Sequence, residues 1–256
     1  MPKDNPGQHG IQRNLSFYGL SGPIRITAHR GDSSHEHENT VAAFESAIKS
    51  GADAIELDLR RTADGVIVVH HDSSIAKLGE SIRTMNLPEA QATARVAGFE
   101  LPTFEEVLKL CRGRVVADIE LKEGGYESEV LDTTARLLTS DGYVFRSFAD
   151  SVVARLKQLS PETEAGLIIG SRIAKIKGGF RSFVPLARRL KHCNADFVSP
   201  HWKLVNRRFI SKMRKLDCPV VPWTVDNEMQ AVKFGRIGVS GIVTNDPGKI
   251  KRAIDP

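Results

Sequence analysis

The chain has 256 residues, enough for a sizeable core and a length at which α/β barrels are commonly single domains. Its 36 basic residues outnumber its 31 acidic ones only mildly, and the excess is spread along the sequence, which argues against a dedicated nucleic-acid-binding tract. No stretch approaches the roughly eighteen apolar residues of a transmembrane helix, and the three cysteines, Cys111, Cys193 and Cys218, lie far from CxxC spacing, so reduced buried thiols and a cytoplasmic location are expected.

Met1 to Asn14 is polar, carries Pro2, Pro6, Gly7 and Gly10, and lacks the apolar centre of a secretory signal. Residues 1–20 therefore read as a lead-in to one domain over 21–256, with Phe17, Tyr18 and Leu20 tucked under its floor. The apolar run Ile24 to Ala28 is a first strand that closes on His29 and Arg30. Gly31 suits a sharp turn. The polar loop to Asn39 includes His35 and His37, which read as solvent-facing, though with Glu36 and Glu38 they form a minor candidate cation cluster. Asn39 or Thr40 caps a helix whose Val41, Phe44, Ala47 and Ile48 share one face.

Ala54 to Leu59 is a second strand. Strand side chains alternate, so Glu56 and Asp58 point one way and Ile55, Leu57 and Leu59 the other. Two adjacent carboxylates on an inward face repel and require a cation, a shared proton or a basic partner. Val66 to Val69 follows too soon for a parallel crossover, so it pairs antiparallel across the Ala63-Asp64-Gly65 turn. That hairpin returns His71 to about the level of Glu56 and Asp58. Residues 73–100 read as a small insertion at the rim with a short helix through Leu87, Ala90, Ala94 and Ala97.

From Leu101 helices and strands alternate. Thr103 and Glu106 form a capping box for the next helix. Val115 to Lys122 is a strand with Asp118, Glu120 and Lys122 on one face, Asp118 being deeper and able to pair with Lys122 or an arginine. A helix follows over Glu127 to Leu138. Further strands are expected over Tyr143 to Phe148, Ala165 to Ile169, Ala195 to Ser199, Pro219 to Val225 and Gly241 to Thr244, separated by helices such as Ser151 to Leu159 and Val205 to Leu216. Eight such strands predict an α/β fold, a (β/α)₈ TIM barrel with a small insertion after the second-strand hairpin, and chemistry at the C-terminal strand ends. The basic clusters at Arg188-Arg189-Lys191, Arg207-Arg208 and Lys212-Arg214-Lys215 read as solvated helix faces that also attract an anionic substrate over distance.

His29-Arg30-Gly31, Glu38-Asn39-Thr40, Glu56-Leu57-Asp58 and His71-Asp72 together resemble, in order and spacing, the signature of the glycerophosphodiester phosphodiesterase family. The likeness extends through Glu120-Leu121-Lys122, Trp223-Thr224-Val225 and Val243 to Pro247. It departs at His37, where the family usually has proline, at Asp118, where it often has a neutral polar residue, and at Asn245, where it usually has aspartate.

The resemblance implies a metal-dependent hydrolysis of glycerophosphodiesters to sn-glycerol 3-phosphate and an alcohol. Glu56, Asp58 and Glu120 would hold a hard divalent cation, Mg²⁺ or Ca²⁺, with His71 also in reach. Arg30 and Lys122 would grip phosphate oxygens. His29 and His71 would be the acid–base pair, with roles left open between them, and the cation would offset charge on phosphorus. Attack by the free glycerol hydroxyl would give a cyclic phosphate that water later opens. Trp223 is either a barrel-core aromatic or a wall for the alcohol moiety. Three carboxylates, two histidines, an arginine and a lysine at one barrel end favour catalysis over a structural polar network. Lysophospholipase D or sphingomyelinase-D-like action on lysophospholipids is the alternative, calling for an apolar rim among Ile75, Leu78, Ile82, Met85, Leu87 and Phe99. A non-catalytic binding barrel and a phosphatidylinositol phospholipase C rank lower. The expected partner is a small-molecule phosphodiester, with no nucleic acid and with lipid-surface contact left open.

Overall fold

The structure is a computed structural model that describes residues 16–75, 79–170 and 183–255. The lead-in expected over Met1 to Asn14, and Leu78 of the insertion, lie outside these residues.

The parallel strands are β1 (Arg25–Ala28), β2 (Ala54–Arg61), β4 (Val116–Leu121), β5 (Tyr143–Ser147), β6 (Ala165–Ile169), β7 (Phe197–Pro200) and β8 (Gly241–Thr244), in the spatial order β7-β6-β5-β4-β2-β1-β8. β3 (Ile67–Val69) pairs antiparallel with β2, as the short connection requires. Pro219 to Val225, expected as a regular strand, forms only isolated bridges, Val220 to Val198 of β7 and Trp223 to His201 just beyond it. Pro219 and Pro222 have no N–H to give to a ladder, so the run cannot pair continuously. It still closes the barrel. The N–H groups of Val221 and Trp223 donate to Val198 and Pro200 of β7 at 2.9 and 3.0 Å, while Val220 and Pro222 accept from Ser240 and from Val243 of β8 at 2.9 and 3.0 Å.

Helices α1 (Val41–Lys49), α3 (Phe104–Cys111), α4 (Glu127–Leu137), α5 (Asp150–Leu159), α6 (Phe183–Cys193), α7 (Arg207–Arg214), α8 (Glu228–Ile237) and α9 (Pro247–Ile254) alternate with the parallel strands along the chain. Thr103 and Glu106 make the expected capping box on α3, which buries Phe104, Val107, Leu108 and Cys111. Each large apolar side chain so buried contributes about 1.5–3 kcal/mol. The helix expected over Val205 to Leu216 is shorter, because Asn206 accepts from the Phe209 N–H at 2.9 Å and so starts α7 afresh after a 3₁₀ turn at Trp202–Leu204.

The insertion carries α2 (Leu87–Val96), and Ile75, Ile82, Met85, Ala90, Ala94 and Leu101 pack with Val68 into a small core of their own. Of the three residues expected under the floor, Tyr18 is fully buried, Phe17 is half-buried, and Leu20 stays half-exposed. The thiols of Cys111, Cys193 and Cys218 are free and buried. Among the described residues no helix is long and apolar enough to cross a membrane.

Candidate active site

The parallel register of β2 and β4 sets Glu56 across from Asp118 and Asp58 across from Glu120. Paired residues share a face, so these side chains enter the barrel together at its C-terminal end. Glu56, Asp58 and Glu120 are all buried, and each offers an oxygen within 4.8 Å of the others. Burial together with repulsion from Asp58 and Glu120 raises the Glu56 pKa well above the ordinary carboxylate value. Burial alone would also raise Asp58, but Lys122, Arg30 and His71 outweigh it and hold that carboxyl down at about 2. Burial dominates at Glu120 and raises its pKa despite Lys122.

Two cations pin this cluster. Lys122 Nζ lies 2.8 Å from Asp58 Oδ1 and 2.6 Å from Glu120 Oε1, and Arg30 Nε lies 3.2 Å from Asp58 Oδ2. Asp58 Oδ1 and Glu120 Oε1 are buried and share the one Lys122 ammonium, with no further hydrogen-bond donor. Anionic oxygens converging from three side chains fit a hard divalent cation. Glu56 Oε2 accepts the Arg30 backbone N–H at 3.0 Å, and Asn39 Nδ2 donates to Asp58 Oδ2 at 2.8 Å.

The Arg30 guanidinium, expected to face phosphate, is already engaged by Glu38, both of whose oxygens sit 2.8 Å from Nη1. Glu38 is thereby withdrawn from the minor cation cluster. His35 and His37 are exposed as expected, and a second small group forms instead from Asp32, His35 and Asp246. The turn is demanding: Arg30 and Asn39 adopt φ of 57° and 59°, and Gly31 a φ of 83°. A Cβ on Gly31 would meet the Ala43 backbone at 2.6 Å, so only glycine lets the loop lie against α1.

His29 and His71 face one cavity of about 70 Å³, also lined by Arg30, Glu56, Glu120, Lys122, Arg146, Phe148, Ile168, Trp223 and Val243. His29 Nδ1 lies 2.7 Å from Asn245 Oδ1, and the Asn245 amide nitrogen donates to Asp226 at 2.8 Å. With its N–H groups turned to Asp226, Asn245 presents its oxygen to His29. The imidazole therefore carries its proton on Nδ1 and leaves Nε2 an acceptor. Burial, then the Arg30 charge, pushes the His29 pKa down to about 4. His71 Nδ1 lies 2.7 Å from Asp72 Oδ1, and Arg60 clamps the His71 carbonyl with Nε and Nη2 at 3.2 and 2.8 Å. Burial and Lys122 lower the His71 pKa, with Asp58 and Asp72 pulling the other way. His70 turns away and stacks on Phe99 of the insertion, ring centroids 5.7 Å apart.

The depressed His29 pKa has a testable cost. The unfolded imidazole titrates near 6.5 and the folded one at about 4, so the unfolded chain binds more protons between those values. Stability present above pH ~6.5 is lost as pH falls toward 4, by up to about 3 kcal/mol. Denaturant unfolding at pH 7 and pH 4.5 should show a smaller pH-dependent loss in His29→Gln than in the unsubstituted chain.

Trp223 is half-buried, its Nε1 donating to Ser199 O at 3.0 Å, so it is both a wall of the cavity and tied into the barrel. Phe148, 44% exposed, meets Trp223 edge to face at 5.5 Å and lies 6.0 Å from Lys122 Nζ. The sequence shows Asn39 only as a cap and a signature residue, and does not single out Phe148, Arg60 or Arg146. Phe148 stands at the tip of β5, where a C-terminal strand-end position was signal enough, whereas the partners of the other three depend on which strands meet.

The profile of the glycerophosphoryl diester phosphodiesterase family matches residues 29–249. The chain belongs to this family. Within the family, a Bacillus subtilis protein, YhdW, provisionally named a glycerophosphodiester phosphodiesterase, is 32% identical over 240 residues, covering 87% of this chain and 94% of that one. The glycerophosphodiester phosphodiesterase of Caldanaerobacter subterraneus subsp. tengcongensis is 29% identical over 238 residues, covering 87% and 94%. In fold, this family member resembles an Oleispira antarctica phosphodiesterase solved in complex with the product sn-glycerol-3-phosphate, with a TM-score of 0.78, 22% identity and coverage of 91% and 97%.

Proposed function

We propose that this chain is a single-barrel phosphoric diester hydrolase that cleaves glycerophosphodiesters to sn-glycerol 3-phosphate and an alcohol, with a divalent cation held by Glu56, Asp58 and Glu120. The observation that carries the proposal is the convergence, in one cavity, of His29 and His71 with those buried carboxylates and with Arg30 and Lys122. Three buried carboxylates facing only two side-chain cations, Lys122 and Arg30, beside two imidazoles are more than a structural ion pair requires.

His29 is the base. Its partner is a neutral amide, it is neutral at physiological pH, and its free Nε2 accepts the proton of the attacking glycerol hydroxyl or water. His71 is the acid, its Nδ1 held by the Asp72 carboxylate so that Nε2 can carry a proton to the departing alcohol. Lys122 and Arg30 hold phosphate oxygens, and Trp223 forms a wall of the substrate space. When bound, the cation offsets negative charge developing on the phosphoryl oxygens. Mg²⁺ and Ca²⁺ both suit an all-oxygen donor set. Three buried free thiols suit a reducing, cytoplasmic setting.

The lysophospholipid reading needs an apolar rim. Among the described residues Ile75, Ile82 and Met85 are at most 7% exposed and pack inward, so these three offer no surface to an acyl chain. Purified protein should release glycerol 3-phosphate from glycerophosphocholine, lose that release in EDTA and regain it with Mg²⁺ or Ca²⁺. Cleavage of lysophosphatidylcholine but not glycerophosphocholine would move the activity to lysophospholipids, and silence on both would leave a binding barrel.

A further inference from the structure

Directly below the carboxylates lies a second charged layer that the proposed chemistry does not use. Arg146 and Asp118 are buried in the barrel interior, at 2% and 0% exposure. Arg146 Nε donates to Asp118 Oδ1 at 2.5 Å, Nη2 donates to Asp118 Oδ2, and Nη1 donates to Ser199 Oγ at 3.0 Å. Tyr18 Oη donates to Asp118 Oδ2 at 2.6 Å, lies 2.6 Å from Thr27 Oγ1, and accepts from Arg146 at 3.1 Å. Ser199 Oγ in turn donates to Val221 O at 2.8 Å. One network thus ties β1, β4, β5, β7 and the irregular closing run to the segment before β1.

Its position is what makes it informative. The register sets Asp118 beside Glu56 and Arg146 beside Glu120, so both members of the pair abut proposed cation ligands on the same inward face. Arg146, but not Asp118, reaches the cavity wall. A buried ion pair is poor evidence of stability, because desolvating two charges offsets most of their attraction, and apolar replacements of similar volume are often neutral or stabilising. A fully hydrogen-bonded buried network does fix geometry. Glu56 and Glu120 repel each other and, apart from Lys122 and the Arg30 backbone, have little else to hold them.

We propose that the Arg146–Asp118 pair, braced by Tyr18, is a positioning element for the cation site that fixes β4, and with it Glu120, against β5 and the barrel interior, and that the chain keeps it for this geometry rather than for stability. This rests on the reading of Glu56, Asp58 and Glu120 as cation ligands. Partners one step removed from metal ligands are typically worth ~10–100-fold in metal affinity. The pair removed together, Asp118→Leu with Arg146→Met, is therefore expected to melt at or above the temperature of the unsubstituted chain while its dissociation constant for Mg²⁺ or Ca²⁺, measured by calorimetry, rises about ten-fold or more. Tyr18→Phe, which removes one brace and leaves the ion pair, is expected to weaken the same binding by a smaller factor and serves if the double variant does not fold. Unchanged cation affinity in the folded variants overturns the inference alone, as does a loss of affinity that merely follows a fall in melting temperature. Failure of the unsubstituted chain to bind either cation overturns the ligand reading, and the inference with it.

Discussion

Substituting His29 or His71 with alanine is expected to lower kcat/KM for glycerophosphocholine by about 10²–10⁴-fold, the usual worth of a positioned acid or base. The two losses should differ in character. His29 is half-buried, held by Asn245 and neutral at physiological pH, so His29→Ala removes the proposed proton acceptor. His71 is one-third exposed and backed by Asp72, so His71→Ala removes the proposed proton donor. A substrate with a good leaving group, such as a p-nitrophenyl phosphodiester, needs little protonation as it departs. It should recover much of the rate in His71→Ala and little in His29→Ala. Equal recovery in both would reverse or dissolve the assignment, and near-normal rates in either with the natural diester would remove the pairing altogether.

The second large effect is expected at Asp58. It contacts Lys122 at 2.8 Å, Arg30 at 3.2 Å and Asn39 at 2.8 Å, and it sits within reach of Glu56 and Glu120. Asp58→Asn keeps the shape but removes the charge that both cations face and one ligand of the proposed metal. If partners one step removed cost ~10–100-fold, a direct ligand should cost more than about 100-fold in metal affinity. Activity should fall correspondingly and return only in part at high Mg²⁺ or Ca²⁺. Calorimetry with the purified variant and a rate titration against cation check the two halves separately. A variant with full activity and ordinary metal affinity would show that Asp58 serves Arg30 and Lys122 alone.

The fold was largely readable because its determinants are local. The turn at Asp64-Gly65 and the short connection around it require an antiparallel β3, and the two-residue period of β2 puts Glu56 and Asp58 on one face whatever the rest of the chain does. Pro219 to Val225 has the composition of a strand, but its two prolines, already visible in the sequence, remove ladder donors and leave only isolated bridges. The side-chain partners were less legible. A strand's period gives the face of Asp118 but not the strand beside it, so pairing with Lys122 and pairing with an arginine were equally open until β5 was placed next to β4. Likewise Glu38, in a polar loop, shows nothing of its grip on Arg30, which depends on the left-handed turns at Arg30 and Asn39.

The seam between β1 and β8 bears on how the chain matures. His29 donates its backbone N–H to Thr244 at 2.8 Å and takes its ring partner from Asn245, 216 positions later in the sequence. Chains are made from the N-terminus and tend to fold domain by domain. A growing chain therefore carries Glu56, Asp58, His71 and Glu120 long before anything exists to orient the base. Hydrolysis should switch on in one step as the last strand leaves the ribosome, and a message truncated before Gly241 should yield a product that is inert as well as unstable.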